Sequence, residues 1–410
     1  MLCVFSLRRT FLAASILLGA WASADTVTLN SISELQGAID SASEPRTIIL
    51  PPGEFPVTAG IRMKSYITIR GNNTRLIFST TSNFPAFSAE GTITPYGTTV
   101  NQPSWNSTWL ATGDSSGLKV GDLIHVDYGN GIDGHTNVIE QIIDTNYVRM
   151  RFPRPPGLQQ GQGIFKVNPV EEVSLENLTI VGAQNAFFGK YLRAMNFKDV
   201  TATRARFNTV FWHTIDSVAQ QSLVDDCGGG ITFIGSSGAS VVGNTILNHR
   251  MSGVLIRSCS GVLVNKNLVA GNPTTLGQGI NGDGITVSGS RGTMVTNNDI
   301  RYPESYGLWL KNSMESVASM NSAVGCGSSA YFLQGGVDDQ LDRSWAYNSE
   351  TGFGVSVVGA VRPRLTSNIL ENVQRGVYIA ETSNASTFQN ISRQNRQADV
   401  SIANTNMQAN

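Results

Sequence analysis

The sequence predicts an all-β chain wound as a parallel β-helix, and three observations carry that expectation. From about residue 172 onward one phrase recurs about every 22 residues: a short apolar strand, an Asn-rich turn, then Gly and alternating apolar residues. Copies are VSLENLTIVGAQNAFFGK from Val173, SVVGNTILNHRMSGVLIR from Ser240, MVTNNDIRYPESYGLWLK from Met294, LTSNILENVQRGVYIA from Leu365 and FQNISRQNRQADVSIA from Phe388. The repeated strands are rich in β-branched residues and are punctuated by Gly and Asn, which excludes paired helices. Only 14% of residues are charged and 42 are Gly, as stacked short strands and turns require. About ten or more coils are expected over residues 169–410.

The elements before the coils follow in order. Residues 1–24 carry Arg8 and Arg9, an apolar stretch and Ala22-Ser23-Ala24, the pattern of a cleaved export signal too short to span a membrane. Arg8-Arg9-Thr10-Phe11-Leu12 resembles a twin-arginine signal, with Leu7 where Ser or Thr is usual. A periplasmic or secreted location is therefore expected. Residues 25–90 hold the cap and the first coils. Ser31 to Ala42 predicts an amphipathic helix with Leu35 and Ile39 on one face and Ser31 or Ser33 as N-cap, placed to cover the open end of the first coil. Residues 91–168 break the repeat and predict a small antiparallel β insertion. Extra residues in AGNPTTLGQGIN, between Val264 and Asp283, predict a loop on the binding face.

A net charge of −1 argues against nucleic acid as a partner. With the signal removed, Cys227, Cys259 and Cys326 remain, an odd number. Cys227 and Cys326 fall about four coils, ~19 Å, apart, which rules out a bridge between them. All three are expected to be small buried residues.

The ELQGAID–TIILPPGEF opening, KVGDLI, VEEVSLENLTIVG and the Gly-apolar-polar-apolar coils resemble the pectate-lyase-like right-handed parallel β-helix superfamily over nearly the whole mature chain. That superfamily includes polysaccharide lyases, glycoside hydrolases, uronan epimerases and phage tailspikes, so the resemblance implies a fold and leaves the chemistry to the site.

Aligning coils on Ser252-Gly253-Val254-Leu255-Ile256-Arg257 places Asp283-Gly284 and Tyr306-Gly307 over Ser252-Gly253. Alternation then turns Val254, Ile256, Ile285, Val287, Leu308 and Leu310 inward. Asp283, Tyr306, Phe211, Trp309, Phe332, Tyr378, His213, Arg257 and Lys311 turn outward. Rings stack on sugar faces and cations pair with carboxylates, so this stripe predicts a groove for an acidic polysaccharide. Lys190, His213, Arg257, Tyr306, Trp309 and Lys311 are its expected substrate contacts.

In the preceding turn the same alignment stacks Asp226 under His249, with Arg206, Cys227, Arg250, Asn281 and Glu304 one step nearer the strand. β-Elimination is expected from His249 as base, Asp226 as its orienter and Arg250 as neutraliser of the uronate carboxylate. Calcium could serve as the cation instead, through Asp225, Asp226 and Asp283. Asp283 and Glu304, ~7–9 Å apart by coil and strand spacing, offer a hydrolase pair instead. Uronan C5-epimerisation and noncatalytic glycan binding also fit a face of this kind. The DDC and His-Arg segments are similar to polygalacturonase motifs, but they lie three residues too early and no NTD or RIK motif is present, so those roles are not carried across. His125, Asp127, Asp133 and His135 read as a polar hairpin. Asn177, Asn196, Asn244, Asn265, Asn297 and Asn368 read as an internal ladder.

Overall fold

The structure is a computed structural model, described for residues 25–100, 102, 107–129, 133–271, 282–349, 352–397, 400–403 and 406–407. The expected export signal, the loop at 272–281 and Asn281 lie outside the described residues. The chain winds into an all-β parallel solenoid of about 15 turns.

Each coil contributes one strand to each of three sheets. In one coil these are Val218–Gln220, Leu223–Asp225 and Ile231–Ile234, and an isolated bridge at Ser237 marks the return corner. Every neighbouring pair in the three stacks is parallel, as in Val218↔Ser240, Leu223↔Thr245 and Ile231↔Val254. The third sheet holds twelve strands, from Ile61–Arg62 to Val400–Ala403. Inward residues repeat from coil to coil: Phe233, Ile256, Val287 and Leu310 are fully buried. Burying each such side chain contributes roughly 1.5–3 kcal/mol.

Two corners bend on a left-handed residue, Gln221 (φ 53) between the first and second sheets and Asp226 (φ 51) after the second. The residue after the first corner points inward and bonds along the rod. Asn244 Nδ2 donates to Asn267 Oδ1 at 3.0 Å, Asn267 to Asn298 at 2.9 Å, and Asn298 to Asn321 at 3.0 Å. Asn368 and Asn390 repeat the contact at 2.8 Å. Of the expected ladder, Asn244 and Asn368 belong to it. Asn177 and Asn297 sit on the corner residue itself and are exposed, Asn265 is the outward residue just before it, and Asn196 is the first, outward residue of its strand, three before the corner at Asp199. The three cysteines are free and buried.

At the N-terminal end Ser31 caps a short 3-10 turn by accepting from the Ser33 amide at 3.3 Å. The helix Leu35–Asp40 follows, burying Leu35 and Ile39 against the first coil. No described helix is long and apolar enough to cross a membrane.

Between the early coils the chain forms a six-stranded antiparallel sheet, in the order Thr92–Thr98, Gly163–Asn168, Leu123–Asp127, Gly134–Ile142, Tyr147–Met150, Trp109–Ala111. One face has its own core around Leu110, Ile124 and Ile139. The other packs Leu123, Val138 and Val167 onto Tyr191 and Ile215 of the solenoid. The docking is also polar: Thr136 N donates to Gly235 O at 2.9 Å, and Ser237 Oγ donates to Thr136 O at 2.7 Å. The insertion thus stands along the exit edge of the third sheet.

His125 and His135 lie in this seam and not in a solvated hairpin. They sit on paired strands, buried, with His213 from the solenoid 4.2 Å from His125 by ring centroids. Tyr191 stacks on His213 at 5.4 Å.

Candidate functional site

The outer face of the third sheet is built from columns whose order the ladder fixes. Thr286, Trp309 and Phe332 follow one another on adjacent coils in the middle column. Arg257, Ser288, Lys311 and Gln334 form the column nearer the insertion. At the head of the strands the Gly253 amide donates to Asp283 O, and the Gly284 amide donates to Tyr306 O, so Ser252, Asp283 and Tyr306 stack in turn. Glycine is required just after this column. A Cβ on Gly253 would meet Val269 Cγ1 at 2.3 Å and Gly284 O at 2.9 Å.

Three rings meet above Asp283. Tyr306 lies 4.9 Å from Trp309 and 4.8 Å from Phe332, and Trp309 stacks on Phe332 at 5.9 Å with an interplanar angle of 16°. Lys311 Nζ sits 4.6 Å from the Trp309 ring. The Asp283 carboxylate accepts from the Tyr306 amide and from Thr286 Oγ1, both at 3.3 Å, and Ser252 Oγ lies 3.2 Å from that hydroxyl. Burial raises the Asp283 pKa above the usual aspartate value, against smaller lowering effects from these two hydrogen bonds and from Lys311. The result is a half-buried carboxyl that holds its proton longer than an exposed one, beside a ring platform and a cation.

A second ring-and-cation cluster stands further toward the N-terminus on the same face. Lys190 Nζ lies 5.3 Å from the Trp212 ring and 5.0 Å from Tyr191. Phe188 meets Trp212 edge-on at 6.2 Å. From Lys190 to Lys311 is five coils, ~24 Å at ~4.8 Å per coil. Arg257 falls between them and pairs with Asp133 of the insertion at 2.7 Å. Trp212, Thr286 and Asp133 were not expected on this face. Trp212 was legible in the sequence had its coil been aligned one residue along.

Several expected site residues fall elsewhere. Asp225 pairs with Leu247 in the second sheet, which puts Asp226 beside Asn248 and Cys227 beside His249. Asp226 is an exposed corner residue 4.0 Å from Arg204. His249 points into the rod: it is buried, its Nδ1 bonds Met251 O at 2.7 Å, and its Nε2 lies against Gly253. Burial lowers its pKa. The expected Asp226–His249 stack is therefore not formed. Its cause is turn length: the turn ending at Val254 is one residue longer than the turn ending at Ile231, and counting back from the third sheet misses that residue. Arg250 is exposed on the same turn.

A separate one-residue misalignment, with Val210 taken in place of Thr209 as the partner of Ile231, accounts for Phe211: it points inward, stacked on Phe233 at 4.4 Å and fully buried. His213, expected as a substrate cation, is covered by the insertion and held neutral by burial, with the nearby His125 adding to the effect. Calcium ligation through Asp225, Asp226 and Asp283 does not fit. Asp225 accepts from Asn248 on the second sheet while Asp283 heads the third, and among the described residues no group of three such ligands gathers. Glu304 lies in the turn that leads to Tyr306, and its amide donates to Gly282 O.

These features define a right-handed parallel β-helix of pectate-lyase type with a ring-and-cation face beside a half-buried carboxyl. The chain belongs to the family described as rhamnogalacturonase A/epimerase, pectate lyase-like, which matches residues 22–232; the right-handed β-helix region matches residues 230–410. No curated protein sequence matches it. Among solved structures, the A-module of the mannuronan C-5 epimerase AlgE6 from Azotobacter vinelandii is 13% identical with a TM-score of 0.56, over 91% of this chain and 94% of that one. The surface adhesin PfbA of Streptococcus pneumoniae is 11% identical with a TM-score of 0.54, over 91% and 96%. The Gp54 tailspike of Acinetobacter baumannii phage AP22, solved with a capsular saccharide, is 11% identical with a TM-score of 0.50, over 87% and 74%. At these identities the likeness is one of fold.

Proposed function

We propose that this protein is an exported enzyme that cleaves an anionic, uronate-containing polysaccharide on the outer face of the third sheet. The observation that carries this is the half-buried Asp283 carboxyl at the foot of the Tyr306–Trp309–Phe332 platform, with Lys311 beside it. Flat apolar sugar faces stack on the rings, while Lys311, Arg257 and Lys190 accept carboxylates spaced along the rod. Asp283, whose pKa burial raises above the usual aspartate value, donates a proton to the glycosidic oxygen as the bond breaks. Glu304, in the turn one coil on, is assigned as the second carboxylate, activating water, and hydrolysis is the reaction proposed. β-Elimination through His249 lacks a base on the face, since that imidazole lies inside the rod. The family's name and the uronan epimerase among its structural neighbours support the substrate class.

The test is incubation with alginate, polygalacturonate and glycosaminoglycans. Reducing ends should rise without the ultraviolet absorbance of a new double bond, and Asp283→Asn should lower kcat by ~10³-fold with binding retained. Appearance of the double bond would identify elimination, and a changed proton spectrum without cleavage would identify epimerisation. Either result displaces the hydrolytic reading.

A further inference from the structure

The second sheet carries a slot that the catalytic face does not use. On its outer side Asp299, Ser322 and Trp345 follow one another on adjacent coils, and Arg301, Val324 and Tyr347 do the same in the next column. The middle coil therefore offers two short side chains as a floor. One coil below stands the Asp299–Arg301 ion pair, with Arg301 Nε donating to Asp299 Oδ2 at 3.0 Å. One coil above stand Trp345 and Tyr347, rings stacked at 5.5 Å and 30°. Trp345 is 41% exposed although it sits on a rigid strand in a packed rod.

The two walls are two coils apart, ~9.6 Å. Two van der Waals contacts of ~4 Å each leave room for one saturated ring between them. The groove has a volume of about 590 Å³, within the range of ligand pockets. Its chemistry is mixed in the way a sugar is mixed: aromatic carbon of Trp345 and Tyr347 for the axial C–H groups, and an ion-paired guanidinium and carboxylate for adjacent hydroxyls. We propose that this slot binds a pyranose ring of a polysaccharide as a noncatalytic site, sandwiched between the Trp345–Tyr347 pair and the Asp299–Arg301 pair. Because it lies on a different sheet, the site is independent of the chemistry assigned to Asp283. It would hold the enzyme on a polymer whose other segments reach the third sheet.

Affinity electrophoresis of the full chain through gels carrying alginate, polygalacturonate or xylan tests this. Retardation is expected in at least one gel. Trp345→Ala/Tyr347→Ala should weaken it by about tenfold, as should Ser322→Tyr, which fills the slot without removing a wall. Asp283→Asn should leave the slot's contribution unchanged, so failure of the catalytic reading and failure of this one are separable. No retardation in any gel, or equal retardation of wild type and both slot variants, overturns the proposal. So does a wild-type dimer in sedimentation that the slot variants convert to monomer, because the occupant would then be a second copy of the chain.

Discussion

Acid should release the insertion from the rod, because two of its histidines are buried neutral in the seam. His125 is pushed down to about 4 and His135 to about 3, in each case chiefly by burial. Asp127 opposes the shift at His125, and Lys190 adds to it; at His135 the His125 and Arg154 charges add to it. Once exposed, each returns to the ordinary value near 6.5. The folded pKa lies below the unfolded one, so the docked state binds fewer protons. Its stability is complete above pH 6.5 and falls as pH drops toward the folded values. At pH 4.5 the exposed imidazoles are almost fully protonated and the buried ones mostly neutral, which costs about 2.5 kcal/mol for each and ~5 kcal/mol for the pair. His213 shifts in the same direction and adds to the loss. Hydrogen exchange over residues 123–139 at pH 7.5 and 4.5 measures the opening free energy directly. His125→Phe/His135→Gln should flatten the profile by most of that difference. Equal pH dependence in wild type and variant would refute the burial account.

Three further outcomes follow from the geometry. His249→Ala should leave kcat/KM within about threefold while lowering stability by ~2 kcal/mol, since the imidazole fills the rod and does not face substrate; thermal melts with parallel activity assays check both. Asn298→Ala should cost ~3–5 kcal/mol in urea titrations, because Asn298 Oδ1 accepts from the Asn267 amide at 3.0 Å and from Asn267 Nδ2 at 2.9 Å, and both donors are left buried. Trp309→Ala should raise KM for polymer by about tenfold with kcat little changed, as loss of a ring that contacts ground and transition states alike requires.

The period of the coils, their parallel stacking and the capping helix were legible from residue order. Alternation of apolar residues in strands such as Val254–Arg257 is enforced by the pleat, and Leu35 and Ile39 share a helix face whatever they pack on. The placement of Asp283 under Tyr306, and of Lys311 outward, also followed from counting along strands, because the ladder keeps strand register from coil to coil. Counting failed across turns. One added residue before Val254 moves His249 from beside Asp226 to beside Cys227, and so from the flank into the core. Only the paired strands on both sides of a turn reveal its length. The histidine seam was equally closed to sequence: His125 and His213 lie far apart along the chain and meet because an inserted sheet folds back over the rod. Local periodicity is a property of neighbours in sequence, whereas burial and charge environment depend on which surfaces the folded chain brings together.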